Sequence, residues 1–381
     1  MTLSKFTNVK ITGSVCVVPE RHIDIDDEIK FYKDEKKLAR NKKILGLGTR
    51  HVLPEGCTCI DLCEEAAKVL IKDLNIKKEE IDTLIVVSIN HDYVGNSDAC
   101  ILQHKLGLTE ECACFDMSGL GCTDVVYGLW VASSLIQSGA SKKCLVLEGS
   151  SSSLISDIRN RNSNMLFGDA GGAVLLERTE TEMPSYFYLM SRGKDWKKIA
   201  TPAGGFRFPI RNDIIDIETL DAEGNVVHLW DSIMSGTDIF SFAIETAPKC
   251  VDKVLNLAEK THDDIDFFAI HQANGQIVRT VINHGAIPRE KASSQTFTKY
   301  GNCGGTSVLV NFCDQMKGKK YKDIMFVSFG VGLSAASCIL DLENAYNGGV
   351  HYFKTPENIP TREEQIKEWI KFIKREEYKG G

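Results

Sequence analysis

Nowhere in this 381-residue chain is there an apolar run long enough to cross a bilayer. Its opening stretch, MTLSKFTNVKITGSVCVVPE, lacks the hydrophobic core of a secretion signal. Positive charge is not in excess either. Lys and Arg number 45 against 52 Asp and Glu, and the net charge of −7 argues against a nucleic-acid binder, which needs a basic face. No signal peptide or membrane span is therefore expected, and the expected location is the cytoplasm. There the 13 cysteines should stay reduced rather than form a disulfide framework. Cys57-Thr-Cys59 and Cys112-Ala-Cys114 are not the C-x₂₋₄-C pairs, coupled to a second half, that structural zinc prefers. C-x-C on a strand places both thiols on one face as core residues, so no metal site is expected.

What is present is an ordinary globular composition, 43% apolar and 25% charged, in a chain long enough for two cores. Strand-like apolar runs alternate with helical periodicity, which predicts an α/β layered fold. IDTLIVVSIN (81–90), KCLVLEGSSSS (143–153) and AGGAVLLE (170–177) read as strands in the first half. DIDFFAIHQAN (264–274) and KDIMFVSFGVGLSAASCILDLE (322–343) do so in the second. KKEEIDTLIVVSIN and THDDIDFFAIHQAN share a helix, acidic turn and strand order, which suggests a duplication. The polar ERTETEMPS places the boundary near residue 180, giving halves 1–180 and 181–343. An extension, 344–381, follows. In it TREEQIKEWIKFIKREEYKGG sets Ile366, Trp369, Ile370 and Ile373 on one helical stripe, expected to pack on its own domain.

Three segments put polar residues where strands and turns end. Cys122 follows Gly119-Leu120-Gly121 and precedes a helix predicted to run to about Gln137. At a helix N-terminus the thiol meets free backbone N–H groups and the positive end of the dipole, which should lower its pKa. His271 ends a strand beside Gln272 and Asn274, and Asn302 lies between Gly301 and a Cys-Gly-Gly run. A lone cysteine reads as core, a lone strand-end histidine as a hydrogen-bonded core residue and a glycine-flanked asparagine as a turn. Together they form a nucleophile with donors for developing charge. The turn Phe329-Gly330-Val331-Gly332 could add a backbone N–H to that of Cys122 as an oxyanion hole.

FDMSGLGCTDVVYGL, MLFGDAGGAVLLE, MSGTDIFSFAIETAPK, IHQANGQIV, KYGNCGGTSV and VSFGVGLSAASCIL, in that order, resemble the β-ketoacyl-acyl-carrier-protein synthase III family of the thiolase superfamily. The resemblance covers about residues 8–342. It implies a thiolase-like fold of two five-stranded halves in αβαβα layers, in a homodimer, with no permanently bound cofactor. It implies that Cys122 takes an acyl group from a coenzyme A or acyl-carrier-protein thioester. His271 and Asn302 would then assist decarboxylation of malonyl-acyl-carrier protein, with Cys122 and Val331 N–H groups as the oxyanion hole and Phe329 beside the nucleophile. Arg161, Gly236, Phe240 and Asn274 match substrate-contacting positions.

Residue types separate the relatives. A degradative thiolase carries a second cysteine in the last glycine turn; here that turn is GVG and Cys338 lies beyond it. Chain-elongating synthases have a histidine in place of Asn302, and plant-type polyketide synthases a GFGPG turn. Members using coenzyme A carry Arg where this chain has Gln276, and Arg40 and Ile44 stand where the family offers an adenine-contacting Trp and Arg. Gly95 and Asn96 occupy a position where a bulky residue often reaches across the dimer. Two alternatives are a non-decarboxylating transfer of the acyl group to an alcohol or amine, and a non-catalytic scaffold subunit.

Overall fold

Two sheets and three helical layers organise the chain. The computed structural model describes residues 2–31 and 34–375, so the end of the TREEQ segment from residue 376 lies outside the described residues. The first sheet has six strands, in the order Tyr346–Phe353, Val9–Pro19, Ala170–Arg178, Lys143–Ser150, Thr83–Val87 and Ala113–Met117. The second has five: Thr2–Phe6, Ser185–Ser191, Ser334–Asp341, Asp323–Gly330 and Phe267–Ile270. Parallel pairs such as Thr83–Val87 with Lys143–Ser150, and Phe267–Ile270 with Asp323–Gly330, need crossover helices, which the sequence supplies between them.

Period-two alternation sends each strand's side chains to opposite faces. Ile85 and Val87 join the central core, where helices Asp124–Ser138 and Ser307–Met316 lie between the sheets. Leu84 and Val86 face outward onto helices Cys59–Asp73 and Asp98–Leu106. In the second sheet Ile324 and Phe326 face the centre, while Met325, Val327 and Phe329 meet helices Gly236–Ala258 and Gly275–His284. The result is the layered αβαβα arrangement of the thiolase-like fold.

Chain and layer do not coincide at the ends. Thr2–Phe6 pairs with Ser185–Ser191 in the second sheet, and Tyr346–Phe353 adds a parallel sixth strand to the first, beside Val9–Pro19. The extension thus begins as sheet, with Tyr346, Val350 and Phe353 partly buried against the cores. Its described part closes with helix Arg362–Ile373, started by a Thr361–Glu364 capping box. That helix does not pack as expected. Ile366, Trp369, Ile370 and Ile373 are all exposed, with Trp369 meeting the Tyr93 ring edge-on at 5.6 Å. The capping box and a Glu363–Lys367 ion pair support it locally instead. The C-x-C pairs also differ from expectation. Cys57 lies in a turn, Cys59 opens a helix and Cys112 precedes a strand, so neither pair shares a strand face.

Candidate active site

The Cys122 turn is built by glycine. Gly119 (φ +102°) and Gly121 (φ +48°) adopt backbone conformations that L side chains rarely take, and a Cβ at 121 would press on the Val331 side chain. A single 3₁₀ turn, Gly121–Thr123, then feeds helix Asp124–Ser138, so Cys122 does sit at a helix start. Gly330 comes from the end of its strand and packs directly on the cysteine. A Cβ there would stand 2.6 Å from Cys122 Cβ and 2.8 Å from Sγ. Cys122, His271, Asn302, Phe329 and Val331 all line one cavity of about 1150 Å³.

The thiol is not lowered as the helix position suggests. Burial pushes the Cys122 pKa up to about 12, and Asp124 and Glu148 push it further in the same direction. Hydrogen bonds from the Val331 backbone and from its own backbone oppose this but do not overcome it. Desolvation outweighs the helix-end field. The same two backbone groups are those expected to form the oxyanion hole, and they stand at the sulfur.

His271 is 1% exposed and lies edge-on to Phe329, with ring centroids 5.3 Å apart. Its Nδ1 is 2.7 Å from Ser307 Oγ, and that oxygen accepts the Gln272 N–H at 3.2 Å. The Ser307 hydroxyl can give its own proton to Nδ1, and the Gly304 backbone also hydrogen-bonds the ring. Burial lowers the His271 pKa to about 4, so the ring is a neutral N–H donor near neutral pH. Asn302 Oδ1 accepts the Gly304 N–H at 3.0 Å, which leaves its NH₂ as the donor end. Histidine and asparagine therefore both offer donors and no charge.

The other expected residues divide. Gly236, Phe240 and Asn274 line the cavity, and Asn274 also caps helix Gly275–His284 by accepting the Ile277 N–H at 2.9 Å. Arg161 does not line it, because its guanidinium donates to the Phe31 carbonyl at 2.8 Å. Gln276 lines the cavity without a charge. Arg40 is exposed on helix Glu35–Leu45, and the Ile44 carbonyl accepts from Arg279 at 2.6 Å. Gly95 and Asn96 are exposed and outside the lining. Three residues escaped the sequence reading: Ser307, which orients His271, and the buried acids Asp124 and Glu148 in the cavity wall. Glu148 left a signal, a single charge inside the apolar run KCLVLEGS.

Comparisons with known proteins fit this geometry. A family model described as 3-Oxoacyl-[acyl-carrier-protein (ACP)] synthase III matches residues 115–193, and its C-terminal counterpart matches 255–342. A Campylobacter jejuni protein is 34% identical over 349 residues, covering 91% of this chain and 98% of its own. A beta-ketoacyl-[acyl-carrier-protein] synthase III of Fusobacterium nucleatum is 33% identical over 337 residues, covering 87% of this chain and 98% of its own. This chain belongs to the 3-oxoacyl-[acyl-carrier-protein] synthase III family. The crystal structure of a Burkholderia xenovorans 3-oxoacyl-(acyl-carrier protein) synthase superposes with a TM-score of 0.84 at 27% identity, covering 93% of this chain and 99% of that one. Membership makes the chain an acyltransferase with a thiolase-like fold, and the first of the two matched segments holds Cys122 while the second holds His271 and Asn302.

Proposed function

We propose that the chain carries out a decarboxylative Claisen condensation through an acyl-Cys122 intermediate. The supporting observation is that Cys122, His271 and Asn302 line one cavity, with Gly330 against the nucleophile. In the first step the Cys122 sulfur attacks the carbonyl of an acyl thioester of coenzyme A or acyl-carrier protein. The new C–S bond forms, the old one breaks, and the cysteine proton leaves with the departing thiol. The Cys122 and Val331 N–H groups hold the oxyanion.

In the second step malonyl-acyl-carrier protein enters and loses CO₂. The electrons of the broken C–C bond pass to the thioester oxygen, where the neutral N–H of His271 and the NH₂ of Asn302 donate. A neutral donor strengthens as the enolate charge appears, so it favours the transition state over the ground state. The carbanion attacks the acyl carbonyl, the C–S bond to Cys122 breaks, and the Cys122 thiolate takes up a proton from solvent as the 3-oxoacyl thioester leaves. A homodimer suits the open edge strand Ala113–Met117, whose Cys114, Phe115 and Met117 are only partly buried. No permanent cofactor enters the scheme, and a cytoplasmic location suits the thioester substrates.

Incubation with a range of acyl-CoAs and mass spectrometry of the Cys122 peptide tests the first step. Release of CO₂ from malonyl-acyl-carrier protein tests the second. Cys122→Gln should still release CO₂ without condensing. An acyl adduct with no CO₂ release would instead point to transfer onto an alcohol or amine. No adduct with any donor would point to a scaffold.

A further inference from the structure

Glu148 has no part in the chemistry above, yet it occupies the wall of the same cavity. Its strand, Lys143–Ser150, alternates in register, with Cys144 and Val146 in the central core and Leu145 and Leu147 in the outer one. Position 148 falls on the central face, where an apolar residue is the rule. Glu148 is 2% exposed, and its Oε2 is buried with no hydrogen-bond partner among the described residues. Among these residues the Val125 backbone N–H is the one hydrogen bond acting on the carboxyl, and no lysine, arginine or histidine acts on it. Burial, and Asp124 beside it, hold Glu148 well above the usual carboxylate range, which favours the protonated, neutral form. With Val125 feeding one oxygen, the acid O–H is left as a donor with nothing to meet. A buried donor left in that state is costly, and native structures keep few of them without a reason.

The surroundings make room for this group. A Cβ at Gly305 would run into Glu148 Oε1 and would stand 2.6 Å from the Gly121 carbonyl. The carboxyl is therefore one residue's width from the turn that carries Cys122, and glycine at 305 is what allows it there. Asp124, the other buried acid of this wall, has its carboxylate occupied by the Leu120 N–H at 3.2 Å and by the Gly121 backbone. Glu148 alone of the pair keeps a free polar atom.

We propose that Glu148 sets acyl specificity. Its Oε2 donates a hydrogen bond to an oxygen carried on the acyl chain close to the thioester, so the group loaded on Cys122 is an oxygenated short acyl chain rather than a plain hydrocarbon. This rests on Cys122 being the acyl carrier. A methylene in that position leaves the buried donor unpaired, whereas a hydroxyl or oxo oxygen satisfies it. A site built around a buried polar group rejects the analogue that lacks its partner more strongly than an apolar pocket rejects an added hydroxyl.

The test compares butyryl-CoA with 3-hydroxybutyryl-CoA in single-turnover acylation of the full chain, read by intact mass. The wild-type protein should load the hydroxylated group about tenfold faster or more. Glu148→Gln, which keeps an N–H donor, should retain the preference, and Glu148→Val should abolish or invert it. Equal rates for the two thioesters in the wild-type protein overturn the proposal without involving any variant. A preference that survives in Glu148→Val, with an unchanged melting profile, also overturns it. If no thioester of any kind loads Cys122, the acyl-enzyme reading itself fails and this one falls with it.

Discussion

Cys122 offers the sharpest test of the site's electrostatics. If burial holds its pKa at about 12, against an ordinary thiol value of 9.0, the free protein should be a poor target for alkylation. A displacement of three units corresponds to about 4 kcal/mol disfavouring the thiolate. At pH 8 the thiolate fraction would be about 10⁻⁴, against about 10⁻¹ for an unperturbed thiol. Iodoacetamide labelling at Cys122, followed by peptide mass spectrometry, should therefore rise about tenfold per pH unit from pH 6 to pH 10 with no plateau. Exposed Cys100 serves as the internal reference in the same digest. Because the Asp124 charge pushes the thiol up, Asp124→Asn should speed labelling at pH 8. A rate that is flat above neutral pH would refute the reasoning. It would mean that the helix-end N–H groups and the Val331 amide overcome desolvation and keep the sulfur ionised before substrate arrives. The predicted profile assigns the deprotonation to the acylation step itself, in which the thiol proton leaves with the departing thiol.

Two further predictions follow from buried polar groups around the same cavity. Ser307→Ala removes the hydroxyl that holds His271 Nδ1 and leaves the Gln272 N–H unpaired, an effect of about 1–3 kcal/mol. Release of CO₂ from the malonyl thioester should fall at least tenfold while acyl-Cys122 formation changes little, and an equal loss in both would refute the positioning role. Glu148 has a folded pKa raised above its ordinary 4.5, so the folded state holds a proton that the unfolded state gives up. Its contribution to stability is fully present below about pH 4.5 and is lost as the pH rises, so the melting-temperature gain of Glu148→Gln over wild type should grow between pH 4.5 and pH 8. A gain that is constant across that range would show that the carboxyl ionises normally.

How much of this was legible in the sequence depends on whether a local signal or a tertiary balance decided it. The strands were legible because short continuous apolar runs such as TLIVV and FFAI, buried on both faces, have few alternatives once glycine and acidic turns bound them. The convergence of Cys122, His271 and Asn302 was legible through motif order, since strand and turn ends in this topology meet in one cavity. The exchange of end strands between the sheets was not. Thr2–Phe6 and Tyr346–Phe353 are ordinary strand sequences whose partners lie far along the chain. The terminal helix misled because its stripe of Ile366, Trp369, Ile370 and Ile373 reports only that an apolar face exists, not that the fold covers it.

The thiol is the instructive failure. The helix-end position of Cys122 was read correctly, and the inference from it was reversed by burial, with two acids adding to it whose proximity no spacing rule reveals. Asp124 is two residues from the cysteine, but Glu148 is 26 residues away and reaches the same wall through the register of a different strand. A dipole effect is a property of a local segment, worth at most about 2 kcal/mol near a helix end. Desolvation is a property of everything packed around the group and here works out larger. Where the two compete, as at a buried nucleophile, the sequence reveals which chemistry is present and the packing decides its protonation state. The same reasoning explains why His271 is neutral. Burial holds the ring uncharged, which suits a reaction whose second step needs charge received rather than a proton taken.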